Sequence, residues 1–132
     1  MNFHPVGRDP ETGEMFMKFH EPFTIVEKIQ LLQRWILVQS FVYYELDSNI
    51  ASDFQYDANA RQLEELSKTY PDEFKRSRYY LYFSDFYDTD EHATSGFDLL
   101  ERVRTNDNKL YRHIWMDAMM ALDLKSKRGV NV

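Results

Sequence analysis

The sequence predicts a mainly α-helical fold of the α+β class, in which a long central helix, an antiparallel second helix and a C-terminal helix accompany a small β hairpin or strand element. Three observations predict this class. Long segments repeat apolar residues at intervals of three and four, the period of an amphipathic helix. Capping residues precede those segments. Short apolar or aromatic stretches beside turn residues favour the β element.

The β element is predicted in two places. In residues 1–20, the turn-forming segment Asp9 to Glu14 separates the apolar stretches Phe3 to Val6 and Met15 to Phe19, which favours a hairpin. An arm that docks on a partner is the alternative. The aromatic segment Arg78 to Tyr87 partly alternates, and we interpret it as an extended strand able to pair with the hairpin.

The central helix has the clearest signal. Thr24 and Glu27 form a capping box, in which each side chain satisfies a free backbone donor at the helix start. The helix should run to about Asp47, where Ser48 and Asn49 favour a turn. Its apolar residues recur at intervals of three, four or seven: Ile25, Ile29, Leu32, Ile36, Tyr43 and Leu46.

The second helix is predicted from Ser52 to near Tyr70. Ser52 lies three residues before Gln55, as in a capping box, and Pro71 disfavours helix at the residue before it. Its inward-facing residues share one face: Tyr56, Leu63, Leu66 and Tyr70.

Two further helices are predicted in the C-terminal part. A short helix should begin at Ser95 and end near Val103, and a final helix should begin near Asn106 or Asp107. Basic residues fill the last turn of the final helix, as the helix dipole prefers: Lys125, Lys127 and Arg128.

Length and composition limit the function. The 132 residues are expected to form one domain, divided into the arm or hairpin (1–20), a helical pair (21–74) and an aromatic strand with C-terminal helices (75–132). The chain contains no cysteine, which fits a reducing cytoplasm. No signal-peptide pattern opens it and the longest apolar run has about ten residues, too few for a bilayer. The net charge of −6 argues against binding to duplex nucleic acid.

Patterns for metal binding and catalysis are missing from the sequence. The acidic loop of Asp85, Asp88, Asp90 and Glu91 lacks the glycine and glutamate spacing of a calcium loop. The four histidines form no zinc pair, and no Gly-x-Ser-x-Gly motif is present. We therefore predict no metal site and no catalytic residue.

The candidate ligand site combines aromatic and acidic residues around the junction of the first two helices: Tyr43, Tyr44, Asp53, Tyr56 and Asp57. Sugar hydroxyls could donate to the carboxylates while a ring stacks on a base, and the helix amino-terminus offers donors for a phosphate. The alternative is structural. The tyrosines would then be core or rim residues, and the aspartates would only favour the helix start electrostatically.

This spacing resembles the small amino-terminal module of NAD-dependent bacterial DNA ligases, in which Tyr-His is followed after eight residues by Asp-x-x-Tyr-Asp. The resemblance spans roughly Ile29 to Phe74, with Tyr44 in the place of the family's His. It implies a helical pair that binds nicotinamide mononucleotide or NAD through the five residues named above. The ligase's Lys-x-Asp-Gly motif is absent and its other domains would not fit, so the resemblance implies no ligation.

The sequence therefore predicts a noncatalytic protein that binds a small nucleotide and requires no cofactor. A free-standing module of this kind resembles proteins of bacterial viruses, which could sequester NAD-derived nucleotides or modulate a host enzyme. The alternative is an acidic interaction module for a host or virion protein, in which Tyr44 and the aromatic strand fill the pocket. A weaker third interpretation is a hydrolase or transferase that acts on the nucleotide.

Overall fold

A computed structural model describes residues 7–8, 15–16, 23–50, 52–85 and 95–127 of the chain. Helices dominate this part of the chain. In chain order the elements are β1 (Gly7–Arg8), β2 (Met15–Phe16), α1 (Ile25–Glu45), α2 (Asp53–Thr69), α3 (Pro71–Lys75), α4 (Tyr80–Phe83), α5 (Gly96–Asn106) and α6 (Asn108–Lys127).

The mainly helical part of the predicted class is confirmed, but its β component is wrong. The aromatic segment forms the helical turn α4 instead of a strand. The reason is its burial pattern, since Tyr79 enters the core together with Tyr82 and Phe83, which lie three and four residues after it. These intervals place the three rings on one side of a helical turn, whereas a strand would divide them between two faces.

The described part of residues 1–20 does not supply a β layer either. Strands β1 and β2 pair over two residues each, with Gly7 opposite Phe16 and Arg8 opposite Met15. A ladder of this length cannot support a sheet, so the fold is mainly α. The rest of the predicted hairpin or arm, and residues 86–87 of the predicted strand, lie outside the described residues.

Helix α1 lies at the centre of the fold, against α2, α3, α5 and α6. It begins at the predicted capping box: Glu27 accepts from the Thr24 amide at 2.9 Å, and Thr24 accepts from the Glu27 amide at 3.2 Å. Every residue from Trp35 to Val42 is buried, as expected for a helix surrounded by neighbours. The chain then turns through Asp47, which has a left-handed φ of 47°.

Helix α2 begins and ends close to the predicted limits. Ser52 accepts from the Gln55 amide at 3.1 Å, and the helix ends before Pro71, which opens α3 as a first-turn proline. Leu63 is fully buried against α1. A buried polar contact at 3.4 Å joins Asn59 to Gln39 on α1.

The last two helices complete the core. Ser95 caps α5, which extends three residues beyond the predicted end at Val103. Asp107 accepts from the Leu110 amide at 3.0 Å and so caps α6. The buried apolar residues form one cluster: Ile29, Leu32, Trp35, Ile36, Leu37, Val38, Phe41, Val42, Leu63, Tyr79, Tyr82, Phe83, Leu99, Leu100, Val103, Ile114 and Ala118.

Candidate functional site

Tyr43 and Tyr44 end α1 as an exposed pair of rings. Tyr43 is 57% exposed and Tyr44 is 46% exposed. Their centroids lie 4.8 Å apart in an edge-to-face arrangement, and the Tyr44 ring also meets Phe97 of α5 edge-on at 5.8 Å. The three rings thus form a continuous aromatic surface that bridges two helices. Such edge-to-face pairs hold one another in place and leave ring faces for a partner.

Tyr56 lies behind this surface and is partly buried. Burial raises the pKa of its phenol. A hydrogen bond with the Ser40 side chain opposes that shift, while the nearby Tyr44 and Asp57 add to it. Ser40 in turn donates to the Ile36 carbonyl at 2.7 Å. The phenol is therefore held by α1 as part of the structure.

Gly96 closes the space between α1 and α5. A Cβ atom at this position would lie 2.4 Å from Ser40 Oγ, 2.9 Å from Ser40 Cβ and 3.2 Å from Tyr44 Cε2. Only a residue without a side chain permits this approach of the two helices. The start of α5 consequently fills the region behind Tyr44.

The five predicted site residues are brought together in part. Tyr44 and Asp57 both lie near enough to Tyr56 to raise the pKa of its phenol, and Tyr43 touches Tyr44. Asp57 is exposed. The backbone of Asp53 opens α2, but its side chain lies outside the described residues. The sequence did not indicate Gly96 or Phe97, because their approach to α1 is a long-range contact that no local pattern records.

A groove of about 670 Å³ lies elsewhere, between α1, the α4 region and the start of α6. Its walls include Arg78, Tyr79, Lys109 and His113, and none of the five predicted site residues lines it. Arg78 lies 5.9 Å from the centroid of the Tyr79 ring. The predicted site is thus an exposed surface, separate from this groove.

Helix α6 carries an exposed apolar face that the sequence analysis did not identify. From Ile114 to Leu124 its only charged residues are Asp117 and Asp123. Ile114 and Ala118 are buried, yet large side chains on the other faces are about half exposed: Trp115, Met116, Met119, Met120 and Leu124. The sequence signal for this face is the presence of apolar residues on every side of the helix. A helix that is apolar on every side is normally covered on every side.

The described residues offer neither a metal site nor a membrane-spanning helix. They contain no group of three or more His, Asp or Glu side chains placed to hold a metal ion. Among the described helices, none is long and apolar enough to cross a membrane. The chain matches no protein-family model, no curated protein and no solved structure.

Proposed function

We propose that this chain is a noncatalytic protein-interaction module that binds a basic segment of another protein. The binding site is the acidic aromatic surface, which we define as Tyr43, Tyr44, Asp57, Phe97 and Asp98. The single observation that carries the proposal is the exposed, edge-to-face stack of Tyr43, Tyr44 and Phe97, closed from behind by Gly96. A surface of this shape suits a side chain that lies across it better than a ligand that must be enclosed.

The chemistry of the surface favours a cationic partner. Arginine and lysine are attracted to the faces of tyrosine rings, an interaction of roughly 0.5–2 kcal/mol. Asp57 and Asp98 are exposed, Asp98 directly follows Phe97 in the chain, and both carboxylates would attract the same cations. The net charge of −6 adds long-range attraction to a basic segment. A host or virion protein of the cytoplasm is the partner we propose.

A peptide titration tests this proposal. Short peptides of one length, rich in arginine, lysine or glutamine, would be titrated calorimetrically into the protein. We expect the arginine peptide to bind most tightly, the lysine peptide less tightly and the glutamine peptide not at all. Raising the salt concentration should weaken binding, because salt screens exposed charges.

Ring substitutions locate the binding site. The double substitution Tyr43→Ala and Tyr44→Ala should weaken arginine-peptide binding about tenfold, the loss expected for about 1.4 kcal/mol of cation–π attraction. Leu81→Ala is the matched control, since Leu81 is 71% exposed on α4 and lies outside the surface. Equal binding of the glutamine peptide, or equal loss in the Leu81 variant, would overturn the proposal.

A second candidate is the binding of a nicotinamide nucleotide on the same surface. The convergence of Tyr44, Tyr56 and Asp57 favours it, because Tyr56 and Asp57 match the ligase-like motif and Tyr44 occupies the place of its His. In this alternative the base stacks on Tyr43 or Tyr44, and a ribose hydroxyl donates to the Asp57 carboxylate. Burial of Tyr56 behind the surface argues for shallow binding without enclosure.

Thermal unfolding with NAD, nicotinamide mononucleotide and ADP-ribose separates the two candidates. A true ligand at 100 times its dissociation constant should add about 2.7 kcal/mol to the free energy of unfolding. Asp57→Ala should abolish that gain and leave the unliganded stability within about 1 kcal/mol of wild type.

Tyr44→His should strengthen binding of the mononucleotide more than of its riboside at acidic pH, because imidazolium attracts phosphate. Absence of any nucleotide effect rejects this candidate alone.

A further inference from the structure

The exposed face of α6 has a regular arrangement along the helix. Trp115 is 48% exposed, Met116 is 62%, Met119 is 47% and Met120 is 53%. Inner contacts fix this orientation: Ile114 and Ala118 lie in the core, and Arg34 of α1 holds Asp117 through two nitrogens at 2.6 and 3.0 Å. The helix cannot turn its apolar face inward without breaking these contacts. Within a single chain the face is therefore held at the surface.

A narrow row runs along the middle of this face. Arg112, Met116, Met119 and Asp123 follow one another at intervals of four, three and four residues. These are the intervals of the core positions of a coiled coil, which bring successive residues to one side of a helix. A cation begins the row, two methionines occupy its centre and an anion ends it. When a second copy of this row runs in the opposite direction, the cation of each copy lies opposite the anion of the other.

We propose that two copies of this chain associate through α6, with the two helices antiparallel and related by a two-fold axis. In this register Met116 faces Met119 of the second copy, and Arg112 faces Asp123 of the second copy. The axis passes between Asp117 and Ala118, the midpoint of α6, so the helices overlap along their whole length of about 30 Å. Each contact occurs twice, as an isologous interface requires.

The residues beside the row fit the same arrangement. A two-fold antiparallel pair keeps each flank position on the same flank as its symmetry copy, so Trp115 and Trp115 of the second copy lie on one flank, on opposite sides of the axis. Met120 lies beside its own copy on the other flank. Both flanks are therefore apolar near the two-fold axis, and the charged contacts lie towards the two ends of the interface. A second copy offers a matching apolar centre and complementary charges together, whereas an unrelated helix would have to carry the same sequence of charges.

Sedimentation equilibrium over a range of concentrations tests this proposal on the full chain. We expect a species with twice the mass of one chain. The emission of Trp115 should shift to shorter wavelength as the concentration rises, while Trp35 is buried in the core throughout. Met116→Lys together with Met119→Lys should give a monomer with unchanged helical circular dichroism. Leu81→Lys, a change at a more exposed apolar residue, should leave the dimer intact.

A charge exchange tests the register without touching the apolar centre. Arg112→Asp should weaken dimerisation about tenfold, because it places two carboxylates opposite each other at two sites. Asp123→Arg should have a similar effect. The combination of both changes should restore association, since the antiparallel register again pairs opposite charges. A parallel pair would place like residues opposite each other and would show no such restoration.

Introduced cysteines report the register directly, because the chain contains no cysteine of its own. Mixing the single variants Met116→Cys and Met119→Cys under oxidising conditions should produce the mixed disulfide in preference to either self-linked product. A monomer at every concentration overturns the proposal. A dimer that survives the lysine substitutions also overturns it, as does a dimer whose charge exchange fails to restore association.

Discussion

At Gly96, the lack of a Cβ atom allows α5 to approach α1 closely. Alanine would gain helix propensity of up to about 1 kcal/mol, but its Cβ would lie 2.9 Å from Ser40 Cβ, an atom fixed to the α1 backbone. We expect Gly96→Ala to lower the free energy of unfolding by about 1–3 kcal/mol, as overpacking does. Urea denaturation measures the change.

The partner of that contact provides the control for Gly96→Ala. Ser40→Ala removes the Oγ atom that lies 2.4 Å from the added methyl group. The double variant should therefore lose less stability than the sum of the two single losses. Strictly additive losses would show that the two helices do not meet through these residues.

Tyr56 makes stability depend on alkaline pH. Its phenol pKa is raised above the ordinary value near 10, chiefly by burial. A raised folded-state pKa favours the neutral form, so this contribution is complete below the unfolded pKa and disappears as the pH rises through the folded value. The Tyr82 and Tyr111 phenols, whose pKa values are also raised by burial, act in the same direction.

Tyr56→Phe isolates the contribution of this phenol. Wild-type protein should lose stability as the pH rises above about 10, and the phenylalanine variant should lose less over the same interval. Urea midpoints measured across the interval provide the comparison. An identical decline in both proteins would assign the alkaline loss to other groups.

Between elements, the Arg34–Asp117 pair fixes α6 on α1. Both side chains are only 11% exposed, and Arg34 also donates to the Tyr79 hydroxyl at 3.0 Å. Asp117→Ala would leave a mostly buried guanidinium without its carboxylate. We expect it to cost about 3–5 kcal/mol in calorimetric unfolding.

Two further variants define the cause of that loss. Glu64→Ala breaks the exposed Lys68–Glu64 pair, which has a similar length of 2.7 Å, and should cost at most about 1 kcal/mol. Replacing the buried pair together, by Arg34→Met and Asp117→Leu, should recover much of the stability because no charge remains buried. A loss at Asp117 no larger than that at Glu64 would contradict a buried role for the pair.

At the scale of elements, the sequence predicts a feature correctly when the interactions that form it are local in the chain. Thr24, Ser52 and Ser95 mark helix starts correctly because a cap is completed within three residues. The strand predicted for residues 80–83 is wrong because aromatic density favours a strand locally, while burial of Tyr82 and Phe83 in the core favours a helix. The meeting of Gly96 with Ser40 depends on residues 56 positions apart, so no local pattern could predict it.

Across the whole molecule, the two proposed surfaces would act together. The acidic aromatic surface is formed by residues of α1, α2 and α5, whereas the dimer surface is on α6, so a dimer would carry two copies of the partner site. A partner with two basic segments on a flexible linker could then occupy both. The second binding event becomes intramolecular, and such linkage commonly strengthens overall binding by about 10²–10⁴-fold.

This joint prediction can be tested with single and tandem arginine peptides. We expect the tandem peptide to bind the wild-type dimer far more tightly than the single peptide does, by at least about 10²-fold for a linker that spans the two sites. A tandem peptide with one segment changed to glutamine should lose that gain. The variant Met116→Lys with Met119→Lys should bind the single peptide normally and gain little from the tandem, because a monomer offers one site. An equal tandem gain in the dimer and in the monomeric variant would mean that both basic segments bind one chain, and the two-site arrangement would then be wrong.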